Sequence, residues 1–229
     1  MTENLKGDLA SLQPILEASY KPQREAESDL VKLGYKYDPE LSSMDTKVFT
    51  DAQGNPHIAY RGTVRAETWL DNLLIGLGKK SKIDEEAIAT AKKAQDKYGK
   101  APTTYGHSRG GRSAEIAGEA TGGKTYTYNK AVLPTDIFKS TRKEQTDIRT
   151  SKDVVSAPSY FQTGGEKVTI ETGNDNWNPT VASLIKAHGL GELKSLPNTN
   201  KNGSSIQQRL NAFTNGTFGK SSFQFKPQD

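Results

Sequence analysis

Cysteine is absent from all 229 residues. That excludes a disulfide framework, a thiolate nucleophile and any cysteine-ligated metal, and it leaves the redox compartment open. Methionine occurs twice and histidine three times, too few to suggest a metal site, so neither metal nor cofactor is expected. Long apolar runs are missing as well. Nothing approaches the ~18 consecutive apolar residues of a membrane span, and the opening stretch MTENLKGDLASLQPILEASY has no hydrophobic signal region. The expectation is a soluble chain without an export signal, cytoplasmic or released by a non-classical or particle-associated route.

An excess of one charge is also lacking. Thirty-one Lys and Arg stand against 27 Asp and Glu, a net charge of +4, and the two signs are interspersed. With no basic stripe and no recognition motif, nucleic acid is not an expected partner. The mild positive charge does permit attraction to an anionic lipid surface. Apolar residues make up only 33% of the chain, and mean hydropathy is −0.74. The core should therefore be small under a generous polar surface.

What is present is a regular alternation of elements. Leu5, Leu9, Leu12, Ile15 and Leu16 recur at helical spacing, and Ala26, Leu30 and Leu33 continue the pattern until Gly34, so two amphipathic helices are predicted within 1–34. TKVFTDAQGNPHIAYRGT alternates on both sides of a Gly-Asn turn and reads as a hairpin ending at Arg61-Gly62-Thr63. IDEEAIATAKKAQDKYG has acids early, lysines late and Gly99 as a stop, the strongest helix signal in the chain. Residues 112–120 suit another helix. KTYTYNKAV, the start of QTDIRTSKDVVSAP, and EKVTIET read as strands, and NPTVASLIKAHGL as a helix with Pro179 in its first turn. From Pro197 onward Asn, Ser, Gly and Gln dominate. One domain over 1–196 with a polar extension over 197–229 is expected.

The chemistry-bearing stretch is TTYGHSRGGRSAEIAG, residues 103–118. A Gly-x-Ser-x-Gly match arises by chance in roughly one chain in seven of this composition, so the context must decide. That context is strand, motif, helix, the order of a nucleophile elbow. A serine hydroxyl needs a base and an oxygen held clear of the backbone, and the glycines at 106 and 110 remove side chains where strand and helix crowd. The helix behind Ser108 aims its N–H groups and positive end at a developing oxyanion. The base follows by elimination. His107 adjoins Ser108 and should point away from it, His57 lies upstream in the hairpin, and His188 remains. For the orienting acid Asp153 is best placed, in a loop after a strand, with Asp136 and Asp175 in reserve.

The ordered blocks AYRGT, TWLDNL, YGHSRGG, YTYNKA, SKDVVSAP and AHGL, over about residues 45–192, resemble the class 3, or fungal-type, lipases of the α/β-hydrolases. The resemblance implies an α/β-hydrolase-like fold: a mostly parallel central sheet flanked by helices, here with N-terminal helices and a polar C-terminal tail. It implies Ser108 as nucleophile, Asp153 as acid and His188 as base, with the backbone N–H groups of Thr63 and Arg109 as the oxyanion hole. It also implies a lid or lid stub over ETWLDNLLIGLG. There Trp69, Leu70, Leu73, Leu74, Ile75 and Leu77 crowd together ahead of Lys79, Lys80 and Lys82, a pattern suited to an anionic lipid interface as well as to a packed helix. Two departures stand out. Arg109 occupies a position usually filled by Leu, and the strand PTTY is unusually polar. The expected function is a serine carboxyl-ester hydrolase acting on a lipid or smaller ester, whether lipase, phospholipase or esterase. The alternative is a catalytically silent lipase-like binding or structural component of an assembly.

Overall fold

The computed structural model describes residues 11–63, 82–170, 186–191 and 199–201. Helices α1 (Leu12–Ser19) and α2 (Gln23–Lys32) come first. Gly34, at φ 86°, ends α2 in the left-handed conformation that glycine adopts without penalty. A two-residue strand β1 (Lys36–Tyr37) precedes the hairpin of β2 (Thr46–Thr50) and β3 (Pro56–Tyr60), which turns at Gly54 as the Gly-Asn signal predicts. Helix α3 (Lys82–Tyr98) leads to β4 (Thr103–His107), α4 (Arg109–Thr121) and β5 (Thr125–Tyr128). The remaining strands are β6 (Ser140–Thr150), β7 (Thr163–Ile170) and β8 (Thr199–Lys201).

These strands form one sheet in sequential order, β1 to β8. The five from β3 to β7 run parallel, and antiparallel pairs close both ends. With helices on both faces, this is the α/β fold expected from the sequence. Several elements differ in extent, and strands β6 and β7 begin earlier than expected, at Ser140 and Thr163. Helix α4 begins at Arg109 instead of 112, immediately behind Ser108. Strand β5 stops at Tyr128 because Asn129 turns the chain at φ 43°. Strand β8 lies within the stretch expected as an extension and pairs with β7. Residues 64–81, which include the lid-like stretch, and the first eight residues of the expected helix over 178–190 lie outside the described residues.

The two faces of the sheet are packed differently. On one, α1 and α2 lay Leu12, Ile15, Leu16 and Leu30 over Phe49, Tyr105, Tyr126, Tyr128, Ile148 and Ile170. On the other, α3 and α4 present mainly alanines, Ala87, Ala91, Ala94, Ala114 and Ala117, to Val48, Ile58 and Tyr60. Small residues let these helices approach closely. Gly118 touches Thr125 so tightly that a Cβ there would collide with the threonine hydroxyl. Farther along this face the core turns ionic. Lys130 binds Glu115 and lies 3.2 Å from Asp147, and Asp147 also binds Lys167. Thr127 and Gln145 donate to Asp147 at 2.6 and 2.7 Å. Burial alone would raise the Asp147 pKa, but Lys130 and Lys167 outweigh it and hold the carboxyl below its ordinary range.

Candidate active site

Ser108 occupies the single residue between β4 and α4, at φ 57° and ψ −125°. A side-chain-bearing residue in that region costs about 1–3 kcal/mol and persists only where its surroundings enforce it. Here three backbone hydrogen bonds do so. Its N–H donates to Tyr128 at 3.0 Å, and its carbonyl accepts from Gly111 at 3.0 Å and Ala131 at 3.1 Å. The flanking glycines are sterically required: a Cβ on Gly106 would collide with the Gly110 carbonyl, and one on Gly110 with the Tyr60 carbonyl. The turn that raises a serine above the C-terminal edge of the sheet is thus written in GHSRG.

The hairpin delivers the second part. Gly62 follows β3 and lies so close that a Cβ on it would come 3.3 Å from the Ser108 Cβ and 2.8 Å from the His107 carbonyl. Its neighbour Arg61 is held by Asp45, which pairs with the guanidinium at 2.9 Å. Thr63 and Arg109 both line a cleft of about 560 Å³ between this turn, α3 and the start of α4. Burial lowers the Arg109 pKa, with Asp84 and Asp45 opposing.

The third part comes from the far end of the sheet. Asp153 sits in the turn after β6, 1% exposed, and accepts the backbone N–H groups of Val155 at 3.1 Å and Ser156 at 3.0 Å. Its Oδ1 lies 3.0 Å from Nδ1 of buried His188. Burial pushes the Asp153 carboxyl up, but the His188 ring and these hydrogen bonds override it, so the group is held below the ordinary carboxylate range. The His188 backbone is tied down by side chains of the sheet. Asn129 donates to the carbonyls of Ala187 and His188 at 3.1 and 3.0 Å, and Thr150 donates to Ala187 at 2.7 Å. The rings of His188 and His107 are 4.8 Å apart between centroids. Asp153 and His188 therefore pair, and the His188 ring lies against His107, the residue before Ser108.

The reserve acids part ways with this group. Asp136 accepts from Arg112 at 2.9 Å, and Asp175 lies outside the described residues. His57 stays in the hairpin, bonded to Tyr105 at 2.9 Å. Sequence reasoning missed Asn129, Thr150 and Tyr20, whose roles depend on contacts 37 to 87 residues distant in the chain.

A family model described as phospholipase-like, the Tle-like phospholipase domain, matches residues 13–215. The chain belongs to the Tle-like phospholipase family. Among curated proteins, the extracellular phospholipase A1 of Serratia liquefaciens is 27% identical to it over 198 residues, 73% of this chain and 61% of that protein. The Tle-like chain thus spans about three fifths of the length of that relative. Its lipase- and phospholipase-like character, which the ordered sequence blocks resemble, is established at the level of the family. Among the described residues no helix is long and apolar enough to cross a membrane.

Proposed function

We propose that the chain is a serine-dependent carboxyl-ester hydrolase of phospholipids, with residues arranged as in the class 3 lipases. Ser108 Oγ attacks the ester carbonyl while His188 Nε2 takes its proton. Asp153 fixes the His188 tautomer through Nδ1 and stabilises the imidazolium that forms. The tetrahedral oxyanion is met by the backbone N–H groups of Thr63 and Arg109, the latter at the positive end of α4. Collapse expels the lysophospholipid alcohol, which receives the proton from His188. Water then attacks the acyl-enzyme by the same route and releases the fatty acid. The chemistry calls for no cofactor.

The observation that supports this reading is the 3.0 Å pairing of Asp153 with His188, whose ring lies against His107, the neighbour of a serine held in a strained turn. A scaffold that only binds has no need of such strain or of a buried, oriented imidazole. The test is labelling of the pure protein with a fluorophosphonate, mapping of the adduct by mass, and release of fatty acid from phospholipid vesicles. An adduct on Ser108 with vesicle hydrolysis is expected. Absence of both returns the chain to the silent, lipase-like binding component.

A further inference from the structure

Two side chains beside Ser108 take no step in the chemistry above. Tyr20 follows α1, and His107 is the last residue of β4. The Tyr20 hydroxyl is 2.6 Å from His107 Nδ1, and His107 Nε2 is 2.7 Å from the His188 carbonyl oxygen. Tyr20 also takes a backbone hydrogen bond from Gly62, and a Cβ on Gly62 would overlap its hydroxyl. The three contacts run from the oxyanion turn to the proposed base and pass directly behind the nucleophile.

The proton positions follow from chemistry. A carbonyl oxygen only accepts, so His107 must carry its hydrogen on Nε2. Burial, reinforced by the neighbouring His188, pushes the His107 pKa down to about 3, so the ring is neutral and has a single N–H. Nδ1 is then an acceptor, and Tyr20 must donate to it. Burial also raises the Tyr20 pKa, which keeps the phenol protonated. The remaining lone pair of its oxygen receives the Gly62 N–H. Every link thus has one direction: Gly62 to Tyr20, Tyr20 to His107, His107 to His188.

We propose that Tyr20 and His107 are positioning residues, a buried hydrogen-bonded relay that sets the Gly62–Thr63 turn and His188 in one register behind Ser108. This rests on the hydrolase reading. The oxyanion turn ends a strand of the hairpin and His188 arrives more than 120 residues later, so the relay adds a direct tie between segments that the chain leaves far apart. Because His107 is covalently joined to Ser108, the relay references both to the nucleophile. Its neutrality matters too. A cationic His107, 4.8 Å from the His188 ring, would oppose the imidazolium that forms as His188 accepts the serine proton.

The variants Tyr20→Phe, His107→Phe, His107→Gln and the double variant Tyr20→Phe/His107→Phe test this. Fluorophosphonate labelling gives the rate and the final stoichiometry at Ser108, and phospholipid hydrolysis gives kcat and KM. Tyr20→Phe should label to full stoichiometry but about tenfold more slowly, with kcat reduced and KM within about twofold, because misplacement of reacting groups costs rate and not binding. His107→Gln, whose amide still donates to the His188 carbonyl, should retain more than His107→Phe. The double variant should be no slower than His107→Phe alone, since one missing link already breaks the chain. A merely structural role would lower stoichiometry and leave the rate per labelled site unchanged. If the His107 variants fail to fold, Tyr20→Phe and the nitrogen-15 imidazole spectrum of the wild type decide. A neutral Nε2–H tautomer of His107 at about pH 5 is expected, and an Nδ1–H form or an imidazolium overturns the relay. A wild type that takes no label overturns the hydrolase reading and the relay's role with it. A labelled wild type with an unimpaired Tyr20→Phe overturns the relay alone.

Discussion

Two buried polar clusters share this sheet, and they are built on opposite rules. Around α4, Glu115, Lys130, Asp147 and Lys167 form an ionic cluster in which the charges answer one another. Around Ser108, Tyr20, His107, Asn129 and Thr150 are neutral donors and acceptors, mostly aimed at backbone carbonyls, and Asp153 pairs with His188. The ionic cluster locks α4 to β6 and β7. The neutral one fixes backbone around the Asp153–His188 pair and the strained Ser108 turn. A charged cluster at that point would bias the proton transfers of the proposed hydrolysis, whereas neutral anchors hold geometry without a field. The same buried polarity thus serves fastening in one place and orientation in the other.

The largest effects should separate the two clusters by kind. Asp153→Asn should lower turnover by about 10³–10⁴-fold, by leaving the His188 ring in the wrong tautomer, with little change in melting temperature. Asp136→Asn is the control, and should it prove dead while Asp153→Asn works, the acid is misassigned. Ser108→Gly should abolish turnover yet raise stability by about 1 kcal/mol, because glycine accepts φ 57° without strain; urea denaturation reads this directly. In the ionic cluster the outcome should invert. Asp147→Asn leaves buried Lys130 and part-buried Lys167 short of a counter-charge, so a loss of about 3–5 kcal/mol in stability is expected, seen as a collapse of the denaturation midpoint. Equal behaviour of Asp147→Asn and Asp153→Asn in both assays would erase the distinction.

A pH comparison sharpens it through two buried lysines. Lys130 faces Glu115 and Asp147, and although burial pulls its pKa down, those carboxylates raise it on balance. Lys47 is fully buried too, but its ammonium donates to the carbonyls of Ser43 at 2.9 Å and Met44 at 2.7 Å. Burial, aided by Arg61, lowers it to about 8 from an ordinary 10.5. The unfolded chain then binds a proton that the folded one has lost, so stability should rise between about pH 8 and 10.5. Lys47→Met should flatten that rise. Urea midpoints across this range give the answer, and a slope unchanged by Lys47→Met would count against the depressed lysine.

Much of this was legible in the sequence, and for local reasons. GHSRGG fixes a turn whose glycines the neighbouring backbone requires, and the Gly-Asn signal and the Gly99 stop of α3 are likewise short-range. Elimination among three histidines led to His188 because the chain offers so few. The rest was hidden because it is long-range. Nothing near Tyr20 announces a partner at His107, and nothing near Asn129 announces the carbonyls of residues 187 and 188. PTTYGH looked too polar for a central strand. Hydropathy registers a threonine as polar whether or not its hydroxyl is satisfied, and only the three-dimensional neighbours supply that information.

The smallest expected effect tests that last point, at Thr104 in the middle of β4. Its side chain is fully buried and donates to the Ala114 carbonyl at 2.9 Å, and it lies 3.0 Å from the Thr125 hydroxyl. Thr104→Val keeps the shape and removes one hydroxyl. Its partners are not stranded by the change, because Thr125 also receives Arg142 at 3.2 Å and Ala114 lies within α4, where the helix's own N–H groups are at hand. The cost should therefore be only about 0.5–1.5 kcal/mol, the net worth of an ordinary internal hydrogen bond, and not the penalty of an unsatisfied polar group. Denaturation of Thr104→Val measures it. A loss above about 3 kcal/mol would mean that the polar strand depends on the hydroxyl as the ionic cluster depends on Asp147. No loss at all, or a gain, would mean that threonine at the centre of this sheet is tolerated and adds nothing to its stability.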